Sequence, residues 1–224
     1  MANKMKDLNQ LLLNFDIKKN YQDEDFYVSK SNFYAYNLIN KWPKWEKNIV
    51  NINGEKFCGK THLTNIFLKK FRGKKIDSHK FNDESLKSFK IFENLVLDNF
   101  DENVNERLMY SLFNLVDQDN KFVIINSLIP INKINFELDD LNSRVKNCLF
   151  AKIEKPDDEL VFAILLKNFS DRQITIEKRL IEYIIKHIDR SYGKIYEFIY
   201  KIDEISLKKK KSIDFKIIKE ALKV

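Results

Sequence analysis

Glycine and proline are scarce in this chain, four and three among 224 residues, and cysteine is scarcer still with two. So little Gly and Pro leaves no low-complexity linker, and no internal repeat stands out. Cys58 and Cys148 cannot form a disulfide framework, and neither lies in a Cys/His cluster with metal-ligand spacing. No apolar stretch is long enough to cross a bilayer, and the leucine run near the start is too short for the apolar region of a signal peptide. A soluble cytoplasmic protein with no membrane partner is expected.

What is abundant is equally informative. A hydrophobic content of 44% supports a real core and argues against disorder of the whole chain, whose length suits one moderate domain with or without a small helical appendage. The formal charge of +7 invites a nucleic-acid reading. Lys, Asn, Ile, Phe and Tyr are all plentiful, however, a bias that A/T-rich codons produce, so basicity carries little weight and DNA contact is expected to be indirect or weak.

The chain is organised around Gly54-Glu55-Lys56-Phe57-Cys58-Gly59-Lys60-Thr61, which fits G-x-x-x-x-G-K-[ST] at every fixed position. Two glycines permit a tight turn whose N–H groups face inward; Lys60 adds a cation and the Thr61 hydroxyl a ligand for Mg²⁺. The residues before the loop (48–52) read as a strand and those after it (62–68) as a helix, which puts a helix N-terminus beneath the bound anion.

Around this loop the pattern alternates. Strands are expected over 74–77, 94–98 and 122–126, and helices over 103–119 and 138–144, which together indicate a parallel α/β sheet. Ser29, Ser31 or Asn32 could cap an earlier helix reaching Lys41, with Phe33, Tyr36, Leu38 and Ile39 available for packing. Pro43 ends it, and Trp42 and Trp45 read as core plugs or as a wall beside the nucleotide. Beyond Pro156 only helices are expected, over 157–169, 176–188, 191–208 and 214–222. Lys208 to Lys211 reads as a solvated turn. Before Phe26 the chain is polar except for Gln10-Leu11-Leu12-Leu13-Asn14-Phe15, either a docking peptide or a staple onto the domain.

Asp98 closes an apolar strand where P-loop proteins place an acidic residue that helps hold Mg²⁺; capping a helix is the plainer alternative. Asn99 follows it, where a self-sufficient ATPase would want a second carboxylate, and asparagine cannot take a proton at neutral pH. Asn126 could bond a γ-phosphate or an attacking water, or simply end its strand. Arg144, on its own, reads as a surface salt-bridge residue.

The order of these pieces resembles the AAA+ ATPases, and more narrowly the DnaA initiator family. Gly59-Lys60-Thr61-His62-Leu63, the strand ending at Asp98 and the segment from Asp140 to Arg144 carry the resemblance. Asp25-Phe26-Tyr27-Val28-Ser29-Lys30-Ser31-Asn32, Leu38-Ile39-Asn40-Lys41-Trp42-Pro43-Lys44-Trp45 and Asp171-Arg172-Gln173 look most like the Hda-type regulatory inactivators of DnaA in alphaproteobacteria. The resemblance implies an N-terminal clamp-binding peptide (1–24), a P-loop AAA+ base with a parallel sheet (25–155) and a small all-α lid (156–224), without the initiator's DNA-reading domain.

It also implies roles. Gly54, Gly59, Lys60 and Thr61 would bind ADP or ATP; Thr61 and Asp98 would hold Mg²⁺, and Asn126 would sense the nucleotide. Gln10, Leu11, Leu13 and Phe15 would dock on the β sliding clamp of DNA polymerase III, an extended peptide filling apolar pockets. Arg144 would be an arginine finger acting in trans on ATP held by DnaA, with a homo-oligomer as a further assembly. Three positions depart from the family: Phe57 replaces a middle glycine, Asn99 a second acidic residue, and Gly193 a nucleotide-sensing arginine. The readings left open beside negative regulation are an autonomous P-loop ATPase or nucleotide kinase, a helicase-loading or DNA-binding adaptor, and a degenerate AAA+ interaction module.

Overall fold

The computed structural model describes residues 26–222, so the segment from Gln10 to Phe15 lies outside the described residues. Five parallel strands form the centre: β1 (Ile49–Asn53), β2 (Gly73–Asp77), β3 (Asn94–Phe100), β4 (Phe122–Ser127) and β5 (Leu149–Lys152), in the order β2-β3-β4-β1-β5. Successive side chains alternate between faces, so Leu95 and Leu97 enter one core and Val96 the other. Both faces are covered, which is why β3 and β4 read as continuous apolar runs.

Helices α1 (Phe33–Asn40) and α2 (Lys60–Lys70) cover one face; α3 (Asp83–Phe89), α4 (Glu106–Asp119) and α5 (Asp139–Lys146) cover the other. α4 buries Met109, Leu112, Phe113, Leu115 and Val116, the spacing of one helical face. Helices α6 (Asp158–Asp171), α7 (Lys178–His187), α8 (Tyr192–Lys209) and α9 (Phe215–Leu222) share a third core. Among the described residues no helix is long and apolar enough to cross a membrane.

Five local features differ from expectation or add to it. β5 is four residues without clear periodicity, and it becomes a strand by pairing with β1, Val50 opposite Leu149. α3 is brief and buries only Phe89, which left it invisible to a periodicity argument; its Asn82 cap accepts the Ser85 N–H at 2.9 Å. Phe33 does not pack but is 59% exposed, because the buried face of α1 is Ala35, Leu38 and Ile39. β3 continues past Asp98 to Phe100 through a register shift at Asn99, whose φ is 57°. Trp42 and Trp45 are core plugs. The Trp45 Nε1–H donates to the Leu38 carbonyl at 2.6 Å, and both indoles pack on Phe67 and Phe122.

Candidate nucleotide site

The loop from β1 to α2 is shaped by two glycines. A Cβ at Gly54 would lie 2.8 Å from the Ile153 carbonyl oxygen and 2.9 Å from Cys58 Sγ, so no larger residue fits. Gly59 caps α2 at φ 98°, a left-handed geometry that glycine adopts at little cost. Phe57 also adopts positive φ, 70°, a geometry that glycine takes at lower cost than a residue with a Cβ. Its ring is half exposed and lies 5.5 Å from that of Tyr196 on α8.

Lys60 turns its ammonium onto the loop itself, 2.6 Å from the Gly54 carbonyl and 2.8 Å from that of Glu55. Cys58 Sγ is 3.5 Å away. Burial pushes the Cys58 thiol above its ordinary range despite the neighbouring cation, which keeps it protonated.

Three elements converge beside Lys60 at the C-terminal edge of the sheet. The Thr61 hydroxyl donates to Asp98 Oδ1 at 3.1 Å, and Asn126 Nδ2 donates to the same oxygen at 3.0 Å and to Thr64 Oγ1 at 3.1 Å. The Asn99 N–H makes a third bond to that oxygen at 3.2 Å, and Lys75 lies 3.9 Å from Asp98 Oδ2. Asn126 Oδ1 is buried and has no hydrogen-bond partner among the described residues, an acceptor suited to a water donor. Thr64 and Lys75 were not read from the sequence as parts of this cluster. The available signal was Thr64's place three residues after Thr61, on the same face of α2.

A cation, a hydroxyl and a carboxylate at one helix N-terminus are the donor set for a phosphate and its Mg²⁺. The residues present fit such a group. Asn99 donates its side-chain amide to Asp77 at 2.7 Å; this bond holds the Asp77 carboxyl below the usual range, although burial opposes it. Asp101 accepts the Asn103 N–H at 2.9 Å.

Gly193 sits in the first turn of α8, where a Cβ would meet only Ser191 Oγ at 3.7 Å, so packing does not demand glycine. Its cationic neighbours are paired, Arg190 with Asp158 at 2.5 Å and Lys194 with Glu197 at 2.8 Å.

Arg144 is not with this group. Its Nη1 lies 2.6 Å from Asp117 Oδ2 on α4, and its guanidinium carbon 5.4 Å from the Tyr110 ring centroid. Together with Glu46, Lys47, Asn48 and Cys148 it lines an open cleft of about 450 Å³. Residues 46–48 precede β1 and Cys148 precedes β5, so the cleft lies at the N-terminal edge of the sheet, whereas the phosphate loop follows the C-terminal end of β1. β1 alone separates the two edges by roughly 16 Å.

No protein-family model matches the chain. Among curated proteins it is similar to the chromosomal replication initiator DnaA of Buchnera aphidicola subsp. Cinara cedri, with 28% identity over 240 residues covering 95% of this chain and 55% of that one. The chain spans about half the length of the curated relatives it matches. Among solved structures it is similar to domain III of Thermotoga maritima DnaA, with a TM-score of 0.75, 23% identity, and coverage of 92% of this chain and 96% of that one. It also resembles a replication initiator DnaA bound to AMPPCP and single-stranded DNA, with a TM-score of 0.67 at 22% identity, covering 85% of this chain and 68% of that one. The chain is thus similar in sequence to DnaA along nearly its whole length, and its five-stranded α/β fold is the fold of DnaA domain III.

Proposed function

We propose that this chain is a negative regulator of replication initiation: tethered to the DNA sliding clamp through residues 10–15, it binds ATP-loaded DnaA and presents Arg144 to the nucleotide held there. The observation that carries this reading is the position of Arg144 at the sheet edge remote from its own phosphate loop. From there a guanidinium cannot serve its own nucleotide but can serve a neighbour's. In the partner's site, water attacks the γ-phosphorus, the bond to the β,γ-bridging oxygen breaks, and ADP and phosphate leave. An arginine supplied in trans neutralises the charge that develops and accelerates such steps by roughly 10³–10⁵.

In this reading the chain's own nucleotide, ADP or ATP with Mg²⁺, is structural. The Gly54–Gly59 loop and Lys60 bind the phosphates, Thr61 and Asp98 hold the metal, Asn126 reports on the site, and the helices after Pro156 act as a lid. When bound, the metal offsets phosphate charge. Asn99 in place of a second carboxylate favours binding over turnover.

The test is ADP formation on DnaA preloaded with labelled ATP, with clamp loaded on DNA, with and without this protein. Clamp-dependent acceleration that Arg144→Ala abolishes, while clamp binding persists, supports the proposal. Acceleration that survives Arg144→Ala removes the finger assignment, and ATP consumption by the chain alone would favour an autonomous enzyme.

A further inference from the structure

Tyr110 and Asp117 stand seven residues apart on α4, two helical turns, and so share one face of the helix. Both meet the same guanidinium: Asp117 Oδ2 lies 2.6 Å from Arg144 Nη1, and the Tyr110 ring centroid lies 5.4 Å from its Cζ. We propose that Asp117 and Tyr110 are positioning residues that hold the Arg144 guanidinium ready for the partner's nucleotide. This rests on the trans-acting reading of Arg144.

The physical reason is entropy. A free arginine samples many rotamers and must surrender them when it meets a phosphate, whereas a side chain already held on two sides has less to lose. Asp117 engages one nitrogen and Tyr110 one face, and a guanidinium has five N–H donors, so donors remain for the incoming oxygen atoms. The base of the side chain is fixed as well. Leu141 and Val145 bury the inner face of α5, and the Arg144 carbonyl accepts from Cys148 Sγ at 3.7 Å. Asp117 is itself 64% exposed, so the pair adds little to folding stability, which makes its role in geometry separable from one in stability.

Two measurements test this. In the chain alone, the Arg144 guanidinium ¹⁵N–¹H NMR signals, assigned by their loss in Arg144→Lys, should show restricted rotation that becomes averaged in Asp117→Ala. In the DnaA assay, Asp117→Ala and Tyr110→Leu should each lower the maximal stimulated rate roughly three- to fivefold, the scale of one exposed ion pair or ring contact. The half-stimulating concentration should stay within about twofold, Asp117→Glu should recover part of the rate, and adding Asp117→Ala to Arg144→Ala should change nothing further. An unchanged or raised maximal rate in Asp117→Ala, or averaged Arg144 signals in the unaltered protein, overturns the proposal. Wild-type protein that fails to accelerate DnaA, or an Arg144→Ala variant that still does, instead refutes the finger reading, while the NMR result still decides whether these two residues hold the guanidinium.

Discussion

Replacing Asp157 by alanine should loosen the seam between the sheet and the helices that follow it. Asp157 Oδ1 accepts the Leu160 N–H at 2.8 Å, capping α6, while Oδ2 accepts the Ser31 hydroxyl at 3.0 Å and the Ser31 N–H at 3.3 Å. Its own N–H donates to Ser31 Oγ at 3.0 Å. Losing a cap costs about 1 kcal/mol, and the two carboxylate bonds to Ser31 about 1 kcal/mol each, so Asp157→Ala should cost about 2–3 kcal/mol. For a domain of this size that lowers Tm by about 5–10 °C. Burial pushes the Asp157 carboxyl up, but the bonds from Leu160, Ser29 and Ser31 outweigh it and hold the group below its usual range. A carboxylate with a lowered folded value contributes stability in full above its unfolded value, about 3.9, and loses it as pH falls through the folded value. The difference between wild type and Asp157→Ala should therefore be constant from pH 7 to about 5 and shrink below about 4. Thermal melts of Asp157→Ala, Ser31→Ala and the double variant would measure the coupling. Single effects that add within about 0.5 kcal/mol would refute the seam as described.

Further outcomes follow from the site and the core. Lys60→Ala should abolish calorimetric binding of ADP, because it removes the loop's cation and its link to the Gly54 and Glu55 carbonyls; retained affinity would refute the cradle assignment. Phe57→Gly should change Tm by less than about 3 °C, since relief of the positive φ is offset by lost contact with Tyr196 and greater unfolded-state freedom. Tyr192→Phe should cost about 1 kcal/mol in denaturant melts by removing a 3.0 Å bond to the Glu154 carbonyl; no loss would mean that this hydroxyl is not satisfied there. Leu112→Ala, in the buried face of α4, should cost about 2–5 kcal/mol.

The readable parts of the chain share a cause. Strands β3 and β4 are buried on both faces, so their apolar runs are long enough to stand out, and α4 and α7 carry the spacing of one buried face. The glycine loop was legible because its turn imposes residue types locally, as at Gly59 with its φ of 98°; at Gly54 the demand comes from the fold, since a Cβ there would lie 2.8 Å from the Ile153 carbonyl oxygen. β5 and α3 were not legible, being short and defined by what they lie against. The sequence alone likewise offered Ser29, Ser31 and Asn32 as equal candidates to cap α1. In the fold Asn32 Oδ1 accepts the Ser29 N–H at 2.9 Å, and Ser31 pairs with an aspartate 126 residues away.

By itself, then, the amino-acid order determined where the glycine loop turns from strand to helix, that a parallel sheet precedes a helical run, and that Asp98 and Asn126 stand near strand ends. Those properties depend on periodicity and on turn chemistry within a few residues. Only the tertiary structure decided that Thr61, Asp98 and Asn126 meet at a single carboxylate oxygen, and that Arg144 lies at the opposite edge of the sheet in the grip of Tyr110 and Asp117. Strand order and helix packing set those distances, and neither is written in the spacing of residues along the chain.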